Sequence, residues 1–590
     1  MIEPRVYRAA LLPAALAVVV VMFSIESRPR ALPQGLAADV LFDGRQAAAA
    51  TRQIVAGARD RRAGAAGNLE LASGLRRTMA SRGFVVQVDR FDRDGKQLVN
   101  VIGLRAGKSR RQIVVLAARD GAGVPDAAGS AADTAALIEL SRVFEGRPSQ
   151  KTLVLASVDG SALGEVGARR LAGTLESPDL VDGVLVISGL GAGAGRRPAI
   201  VPWSNDTARA GIGLQRTVSD SIRQELSPPG AGASPAGQLA RLAFPLGIGA
   251  QGVLLDEGYD AVRIAGDGEI GDTGGSEPDH VDADRLGALG RATLRTLTAL
   301  DRGRRPEHGP RTYITAVSQV LPGWVLTLLG LTLILPAIVA AVDALARARR
   351  RRRAVVPWLS WLGAGVLAFV IGLGLSYLLA LLGATPDPPA APVAPARYPL
   401  DAAAGAVLAV VAAVIALAWI ALRSLLRRTD RALADPADPG AAVAVALVLS
   451  LTMLAMWVVN PYSALILAPG LHLWILATLV DPPPARRTRL IMVAIGLLLP
   501  ALLAAYSLIT LQLDPVSGAW YLFLLVTGGH VSVTSALLGC VLAATVGSVI
   551  AMAAASHPEV EAKSEGPSVR GPGSYAGPGS LGGTSSALRR

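Results

Sequence analysis

The chain has 590 residues, of which 51% are hydrophobic and only 17% charged, and its mean hydropathy is +0.44. This composition excludes a single soluble protein of average make-up and predicts a polytopic membrane protein in contact with a lipid bilayer. The formal net charge of +12 does not indicate nucleic-acid binding, because the Arg residues concentrate at the ends of apolar segments and no surface run interleaves aromatic and basic residues.

A short apolar segment at residues 9–23 follows Arg5 and Arg8. It has the length of a signal-peptide core and is slightly shorter than the roughly 20 residues of a typical spanning helix. No small-x-small cleavage site follows it, since residues 24–27 contain Ile25 and Glu26. The segment therefore predicts an uncleaved signal anchor within residues 1–27, and a cleaved signal peptide is the alternative.

Residues 28–305 are more polar, and in them apolar runs alternate with amphipathic stretches. This alternation is typical of an α/β fold, with a mostly parallel or mixed central sheet flanked by helices. Strands are predicted at residues 85–91, 98–104, 113–117, 152–157, 184–188 and 261–264. The clearest predicted helices lie at residues 131–144, 164–175 and 283–300, and Asp282 is a natural N-cap for the last of them.

Beyond a linker at residues 306–319, about seven further spans are expected within residues 320–555, as an α-helical polytopic bundle. They are predicted at residues 320–342, 355–383, 402–422, 441–459, 463–479, 490–513 and 533–555. Residues 520–531 are apolar but contain Gly528, Gly529 and His530, which favours an interfacial or re-entrant piece over a ninth span. Residues 556–590 are rich in Gly, Pro and Ser, which predicts a disordered cytoplasmic tail.

The distribution of arginine predicts the orientation of these spans. Arginines cluster after the second, fourth and sixth spans, within residues 347–353, 423–431 and 486–489, whereas the intervening loops carry only Arg397. By the positive-inside rule, both termini are then cytoplasmic and residues 28–319 are extracytoplasmic, in a multi-pass protein of the cell membrane. The abundance of Ala, Arg and Gly is typical of a bacterial protein of high coding GC content.

Four stretches of the polar domain follow one another in a familiar order. Asn100-Val101-Ile102 precedes a turn with Gly, and the apolar strand at residues 113–117 runs into Ala118-Arg119-Asp120. Residues 129–140 are rich in small side chains, and residues 252–264 and 278–282 form a closing loop, strand and helix start. This order resembles the family-28 metallopeptidases, the di-zinc aminopeptidase group, over most of residues 69–300.

The resemblance implies a site that has lost its metal ligands. Such enzymes hold two zinc ions with two His and three carboxylates, while a Glu acts as the base. The family's positions fall, in chain order, on Ala118 (His), Asp120 (Asp), Gly129 (the bridging Asp), Ser161 and Ala162 (the paired Glu), Ser188 (Asp) and Asp272 (His). Because Ala and Gly side chains carry no donor atom, the resemblance implies a degenerate pocket without catalytic or metal-binding residues, in which Asp120 is the first candidate for a residue that still shapes the pocket.

The number of histidines and cysteines in the polar domain leads to the same expectation, and this number does not depend on how the family's positions are matched to the chain. The polar domain contains two histidines, His280 beside a helix start and His308 in the linker, and neither is expected to be a metal ligand. The one cysteine, Cys540, lies in an apolar segment outside this domain. Without these donors, a metal site would be dominated by carboxylates and would suit Mg or Ca better than Zn. We therefore expect no cofactor, and zinc only if the domain is an active enzyme.

Other motifs favour plainer interpretations. Residues 247–252 match G-x-G-x-x-G but follow a poor strand, so a flexible loop is preferred to a dinucleotide site. Residues 271–275 resemble a serine-protease nucleophile loop with Thr in place of Ser, and a coincidental turn is preferred.

Asp120, Asp126, Asp159 and Asp272 are expected to gather near one edge of the sheet. We interpret them as helix caps and turn carboxylates, with retained ligand binding or one weak cation as the alternative.

The predicted spans contain few ionisable groups, whereas a transporter or channel usually keeps such groups in its membrane path. Asp343 lies at a span end, and His472, near Pro469 and Gly470, is the clear candidate within a span. A lone His is more often packed or interfacial than part of a proton relay. Transport with an accessory exported domain is therefore kept as an alternative function.

Together these features predict a membrane-anchored, catalytically inactive relative of zinc aminopeptidases. One anchor, a peptidase-like domain and then a helical bundle form a layout similar to that of the attachment subunit of the eukaryotic GPI transamidase. That resemblance implies binding of a protein or peptide partner, or assembly of a membrane complex. An active metal-dependent exopeptidase is the other alternative.

Overall fold

The computed structural model describes residues 3–33, 41–193, 195, 197–226, 233–271, 275–429, 433, 438–481 and 483–555. The predicted C-terminal tail lies outside the described residues, and so does Asp272.

The polar domain is built on a mixed seven-stranded sheet in the order β2-β3-β5-β4-β6-β8-β7. Its strands are β2 (Val85–Arg93), β3 (Lys96–Arg105), β4 (Ser109–Ala118), β5 (Lys151–Val158), β6 (Val181–Ser188), β7 (Ala199–Val201) and β8 (Ala261–Ala265). Strands β5, β4, β6 and β8 are parallel, whereas β2, β3 and β7 extend the sheet in antiparallel fashion. All six predicted strands are present, and the short edge strand β7 is the one that the sequence pattern did not predict.

Central strand β4 shows why this sheet forms. Residues 113–117 of β4 are apolar and fully buried, as expected for a parallel strand that is covered on both faces. Edge strand β2 alternates between exposed and half-buried positions instead. The four parallel strands bring their carboxyl ends, and the loops that follow them, to one edge of the sheet.

Helices flank the sheet and complete a mixed α/β architecture. They are α3 (Gly44–Gly57), α4 (Ala66–Ser81), α5 (Ala132–Val143), α6 (Val166–Ala172), α7 (Ile212–Glu225), α8 (Pro235–Ala243), α9 (Ala250–Asp256) and α10 (Ala283–Arg302). Asp282 caps α10 as predicted, by accepting a hydrogen bond from the Arg285 N–H at 3.0 Å. Helix α6 is shorter than the predicted 164–175, because Gly164 and Glu165 have φ angles of 87° and 60° and cannot continue a right-handed helix.

The G-x-G-x-x-G segment differs from the expected loop. Helix α9 begins at Ala250, inside the motif, and the element before it is helix α8 rather than a strand. The expectation of a flexible loop is therefore wrong for residues 250–252. The strand that a dinucleotide-binding βαβ unit requires at this place is replaced by a helix.

Among the described residues, eight helices are long and apolar enough to cross a membrane, in agreement with the predicted number of spans. The bundle elements are α1 (Pro4–Ala9), α2 (Leu12–Phe23), α11 (Gly323–Arg350), α12 (Val356–Leu381), α13 (Ala402–Thr429), α14 (Pro439–Val459), α15 (Pro461–Leu479), α16 (Arg486–Gly496), α17 (Leu498–Leu511), α18 (Pro515–Thr527) and α19 (Val533–Ala554). Helices α1 and α2 together form the first candidate span, and α16 and α17 together form the seventh. Helix α18 has 13 residues and is too short to count among them.

The structured contacts between the domain and the bundle include a small sheet and a hydrogen-bonded side-chain contact. A small sheet of β1 (Glu26–Ser27), β10 (Gln319–Pro322) and β9 (Tyr313–Ala316) joins the chain that leaves α2 to the chain that enters α11. At the second contact, the Asn460 side chain donates hydrogen bonds to the carbonyl oxygens of Leu242 and Ala243 at 2.9 and 3.2 Å. The Ser463 hydroxyl also donates to Ala243 O, at 2.6 Å. Helix α8 of the domain is thereby attached to the start of α15.

Candidate functional site

The predicted pocket positions gather at the carboxyl edge of the parallel strands. Ala118 ends β4 and Ser188 ends β6, while Ser161 and Ala162 lie in a single 3-10 turn after β5. Gly129 lies just before α5. The topology therefore brings together all of these positions that the structure describes.

Asp120 connects two of the loops at this edge. Its carboxylate oxygens accept hydrogen bonds from the backbone N–H groups of Ser161 at 3.0 Å and Ala162 at 2.9 Å. The Asp120 residue is only 2% exposed. Both oxygens thus cap the turn after β5, which is the structural role of a turn carboxylate.

Gly129 has no room for a side chain. A Cβ there would overlap the carboxylate of Asp126, which itself accepts a hydrogen bond from the Ser130 N–H at 3.0 Å. The side chain of Asp126 thus occupies the space next to the position where the resemblance implies a bridging carboxylate. Asp126 acts here as a cap for the following turn.

A buried arginine, Arg119, lies directly beneath this edge. Its guanidinium donates to Asn68 Oδ1 at 2.7 Å, to Val99 O at 2.6 Å and to Asp159 Oδ2 at 3.4 Å. Asp159 also accepts from the Val99 and Gly160 N–H groups, at 3.3 and 2.8 Å. Burial raises the pKa of Asp159 to about 6, and the neighbouring carboxylate of Asp120 adds to this shift. Arg119 and Asp159 therefore form a buried support for the loop that carries Asp120.

Arg263 is the residue that sequence reasoning missed. It lies in β8, is 5% exposed, donates to the Ser188 hydroxyl at 3.3 Å and also donates to the carbonyl oxygen of Glu269. Burial lowers its pKa, while Asp267 and Glu269, and Glu165 when it is ionised, act in the opposite direction. A guanidinium therefore lies among carboxylates at the strand ends. The available signal was an arginine inside an otherwise apolar, buried strand, which is rare unless the charge is paired.

Glu165 is the second residue that was missed. Its φ of 60° places it in the left-handed region, and its Oε2 has no hydrogen-bond partner among the described residues. Burial raises the pKa of Glu165 to about 8, and Asp120 adds to the shift, while Arg263 and Arg397 oppose it. The carboxyl group is therefore largely neutral at neutral pH.

Two cavities open at this edge. The larger, about 680 Å³, is lined by Gly129, Gly189, Asp267, Ser276 and His280 among others. His280 thus lies closer to the site than the sequence suggested, because the 3-10 turn Pro278–His280 returns the chain to the cavity before α10 starts. The other histidine of the polar region that the structure describes, His308, lies between α10 and β9, with Nδ1 3.3 Å from Gly309 O.

The second cavity, of about 430 Å³, lies between the domain and the bundle. Glu165, Arg263 and Ser161 line it from the domain, and the loop between α12 and α13 contributes Val393 and Arg397. We call residues 382–401 the α12–α13 loop. Arg397 is the one arginine of this loop, and in the sequence it is an exception to the low arginine content of the loops predicted to be extracytoplasmic. The structure places Arg397 at the cavity.

The α12–α13 loop contacts the domain through its backbone. The Ala390 N–H donates to Leu163 O at 3.0 Å, and Arg397 donates to Ala162 O at 3.4 Å. Gly164 lies under this loop, where a Cβ would overlap the backbone nitrogens of Ala390 and Ala391. The Tyr521 hydroxyl of α18 donates to Val393 O at 2.8 Å and holds the loop from the opposite side.

The described residues do not fit a pair of zinc ions. Among them, no group of three or more His, Cys, Asp or Glu side chains is arranged to hold a metal ion. Ala118 and Gly129 offer no side-chain donor, and both oxygens of Asp120 are engaged by backbone N–H groups. The Ser188 hydroxyl accepts a hydrogen bond from a cation, Arg263. This arrangement is consistent with a hydrogen-bonded polar edge rather than a metal centre.

Within the bundle, His472 is engaged on both sides of its ring. Its Nδ1 lies 2.5 Å from the Tyr7 hydroxyl and its Nε2 lies 2.9 Å from Leu333 O. A buried arginine that was not anticipated, Arg423, lies between the rings of Trp361 and Trp419, at 3.7 and 3.4 Å from the two centroids. These groups connect helices, and the contacts that they make are those of packing.

No protein-family profile matches the sequence, and no curated protein matches it. In structure, the chain is similar to a glutaminyl cyclase from an Acidobacteriales bacterium, with 17% identity and a TM-score of 0.35, over 47% of this chain and 98% of that one. It is also similar to BSAP, a zinc aminopeptidase from Bacillus subtilis, with 12% identity and a TM-score of 0.35, over 47% and 99%. A Zn-dependent exopeptidase from Parabacteroides distasonis is similar at 14% identity and a TM-score of 0.34, over 46% and 100%.

Proposed function

We propose that this chain is a membrane-anchored recognition protein, in which an extracytoplasmic, aminopeptidase-like domain binds a protein or peptide partner without metal-dependent hydrolysis. The eight-span chain holds the domain at the membrane surface and assembles with that partner there. In this proposal the two termini are cytoplasmic, the first helix is a retained anchor, and the protein is bacterial.

The observation that carries the proposal is the position of Arg263. Its guanidinium lies beside Ser188 and among Asp267, Glu269 and Glu165. A fixed positive charge at this place balances carboxylates that a metal ion would otherwise attract, and it would repel a cation bound next to it. The edge is thus suited to binding a ligand through hydrogen bonds and charge.

The attachment of the domain to the bundle also supports a function that both parts share. Asn460 and Ser463 bond to the end of α8, and the α12–α13 loop covers the edge that carries the pocket positions. A ligand that binds at this edge therefore contacts, or lies close to, a loop of the bundle. Such an arrangement can transmit binding to the membrane part through direct contact.

An active metal-dependent exopeptidase is the second candidate. It is favoured by one observation, that His280 and Asp267 line the same cavity of about 680 Å³. The His280 ring nitrogen Nδ1 accepts from the Glu277 N–H at 3.3 Å, which leaves Nε2 as the nitrogen that could ligate a metal.

Metal analysis and activity assays on the purified full chain separate these two functions. The protein is incubated with zinc, passed over a desalting column and examined by elemental mass spectrometry, and aminopeptidase and glutaminyl cyclase assays are run on the same sample. We expect no stoichiometric zinc and no hydrolysis, and His280→Ala is expected to match the parent. Two tightly held zinc ions with peptide hydrolysis, both lost in His280→Ala, would establish the exopeptidase instead.

Affinity capture from native membranes tests the recognition function itself. A photo-crosslinking residue in place of Ile248, on the wall of the smaller cavity, is expected to capture a discrete partner. The same crosslinker at Glu70, on α4, serves as the control for nonspecific capture. Identical crosslinking patterns from the two positions would argue against recognition at this edge.

A further inference from the structure

The cavity of about 430 Å³ between the domain and the α12–α13 loop has the properties of a small-ligand site. Its volume is in the range of small-molecule pockets, roughly 300–1,000 Å³. Its polar lining comes from two separate parts of the chain, Arg263 and Glu165 from the domain and Arg397 from the bundle. The rest of its wall includes Ile248, Ile270 and Val393.

Arg263 lines the cavity and has one buried donor without a hydrogen-bond partner among the described residues. Two of its nitrogens donate to Ser188 Oγ and Glu269 O, whereas Nε has no hydrogen-bond partner among the described residues. This Nε lies 3.2 Å from the place where a Cβ of Gly249 would stand, and Gly249 also lines the cavity. A buried guanidinium N–H without a partner is costly, so an acceptor from a ligand would satisfy it.

The charges of the side chains around the cavity indicate that its ligand is negatively charged. Glu269, the carboxylate that follows Arg263, forms an ion pair with Arg241 at 2.6 Å. Glu165 is largely neutral at neutral pH because burial raises its pKa to about 8, and as a carboxylic acid it can donate a hydrogen bond. Among the described residues, Arg397 donates one long hydrogen bond, to Ala162 O at 3.4 Å. The side chains that line this cavity therefore include two cations, Arg263 and Arg397, and two neutral donors, Ser161 and Glu165, whereas Asp267, whose charge also acts on Arg263, lines the larger cavity.

We propose that this cavity binds an oxyanion carried on an apolar group, with Arg263 and Arg397 contacting the oxyanion and Ile248, Ile270 and Val393 contacting the apolar part. A guanidinium binds carboxylate and phosphate through paired hydrogen bonds. A peptide C-terminus with an apolar last residue has this chemistry and is the form that agrees with the proposed function, on which this choice of source rests. The α12–α13 loop would then be part of the binding site.

Isothermal titration calorimetry on the full chain in detergent micelles tests the inference with three probes. They are N-acetyl-Ala-Leu with a free carboxylate, the same dipeptide as its C-terminal amide, and inorganic phosphate. The free acid is expected to bind roughly tenfold or more tightly than the amide, because the amide lacks the negative charge. Inorganic phosphate is expected to bind more weakly than the acid, because it makes no contact with the apolar wall.

Variants then place the binding in this cavity. Arg397→Gln removes the positive charge of a half-buried side chain in the loop. This variant is expected to bind the free acid roughly tenfold or more weakly than the parent does. Arg77→Gln removes the same charge from an exposed position on α4 that does not line the cavity, and is expected to leave the affinity unchanged. Arg263→Gln is expected to show the same loss of affinity for the acid if the variant folds. If it does not fold, Arg397→Gln alone decides whether the acid binds in this cavity.

Three results would overturn the inference: no binding of the acid, equal affinities of the acid and the amide, or equal effects of Arg397→Gln and Arg77→Gln. Phosphate binding as tightly as the acid would remove the role of the apolar wall. Because the readout is binding, it does not depend on zinc content or hydrolysis. The failure of this inference and the failure of the proposed function are therefore distinguishable.

Discussion

The hydroxyl of Tyr7 lies 2.5 Å from Nδ1 of His472, which joins the first helix of the chain to α15. Glu3 and Arg347 form a second contact between the N-terminus and the bundle, at 4.0 Å. After the other end of this first candidate span, which α1 and α2 form together, Glu26 and Ser27 pair with Val320 and Gln319 in the small sheet. The N-terminal helix is thus attached to the rest of the structure at both ends.

Retention of this helix is the first prediction. Intact-mass measurement of the purified protein is expected to show a chain that includes residues 1–27, because the helix fills a place in the bundle. Tyr7→Phe is expected to cost about 1 kcal/mol of stability, as for other hydrogen bonds between membrane helices. A mature chain that begins after Phe23 would contradict the prediction.

The orientation of the domain is the second prediction. In a Cys540→Ser background, Asp179→Cys in the domain is expected to react with a membrane-impermeant maleimide in intact cells, since the Asp179 side chain is 94% exposed. Arg351→Cys, exposed between α11 and α12, is expected to react only after lysis. The opposite labelling pattern would place the domain in the cytoplasm.

The third prediction concerns the contact between Gly164 and the α12–α13 loop. Gly164→Ala is expected to loosen this loop and expose residues 385–401 to protease, because the new Cβ would overlap the backbone of Ala390 and Ala391. Gly146→Ala is the matched control, since Gly146 also has a positive φ but no atom of the described residues lies within 4 Å of its Cβ position. The control is expected to cost about 1–2 kcal/mol from backbone strain alone. Equal proteolysis of the two variants would show that the contact is weak.

The fourth prediction concerns Asp120. Asp120→Ala is expected to destabilise the domain by roughly 2–4 kcal/mol, because it leaves the N–H groups of Ser161 and Ala162 without acceptors. The exposed Asp179→Ala is expected to change stability by less than about 0.5 kcal/mol. Chemical unfolding with and without a chelator checks the cause. A chelator that reproduces the loss in the parent chain would instead indicate a metal role for Asp120.

The pH dependence of stability around Glu165 is the fifth prediction. Its folded pKa is raised from 4.5 to about 8, chiefly by burial and then by Asp120, against the opposing charges of Arg263 and Arg397. The contribution of the neutral acid is therefore fully present below the ordinary pKa and is lost as the pH rises through about 8. Glu165→Gln is expected to be more stable than the parent by roughly 1–3 kcal/mol at alkaline pH and to show a flatter pH profile.

Thermal unfolding at about pH 6 and about pH 9 measures this difference. The exposed Glu257→Gln is the matched control, and its pH profile is expected to follow that of the parent. Parallel profiles for Glu165→Gln and Glu257→Gln would show that the Glu165 carboxyl is well solvated in the folded protein.

Much of the architecture was predictable because it depends on local patterns. Continuous apolar runs predicted the parallel strands, for instance residues 113–117, and length with hydropathy predicted the eight spans. The start of helix α6 was not predictable in the same way. The strained φ of Gly164 and Glu165 is adopted next to a loop that lies more than two hundred residues further along the chain.

The sequence by itself determined which side chains are available at the sheet edge: Ala118, Gly129, Ser161, Ala162 and Ser188 lack the donors of a di-zinc site whatever the packing is. The tertiary structure alone decided what replaces them. It brought Arg263 to Ser188, turned Asp120 onto two backbone N–H groups, and placed Arg397 over the domain. The physical reason is that donor chemistry belongs to individual residues, whereas charge pairing and burial depend on segments that are distant in the chain and adjacent only in the fold.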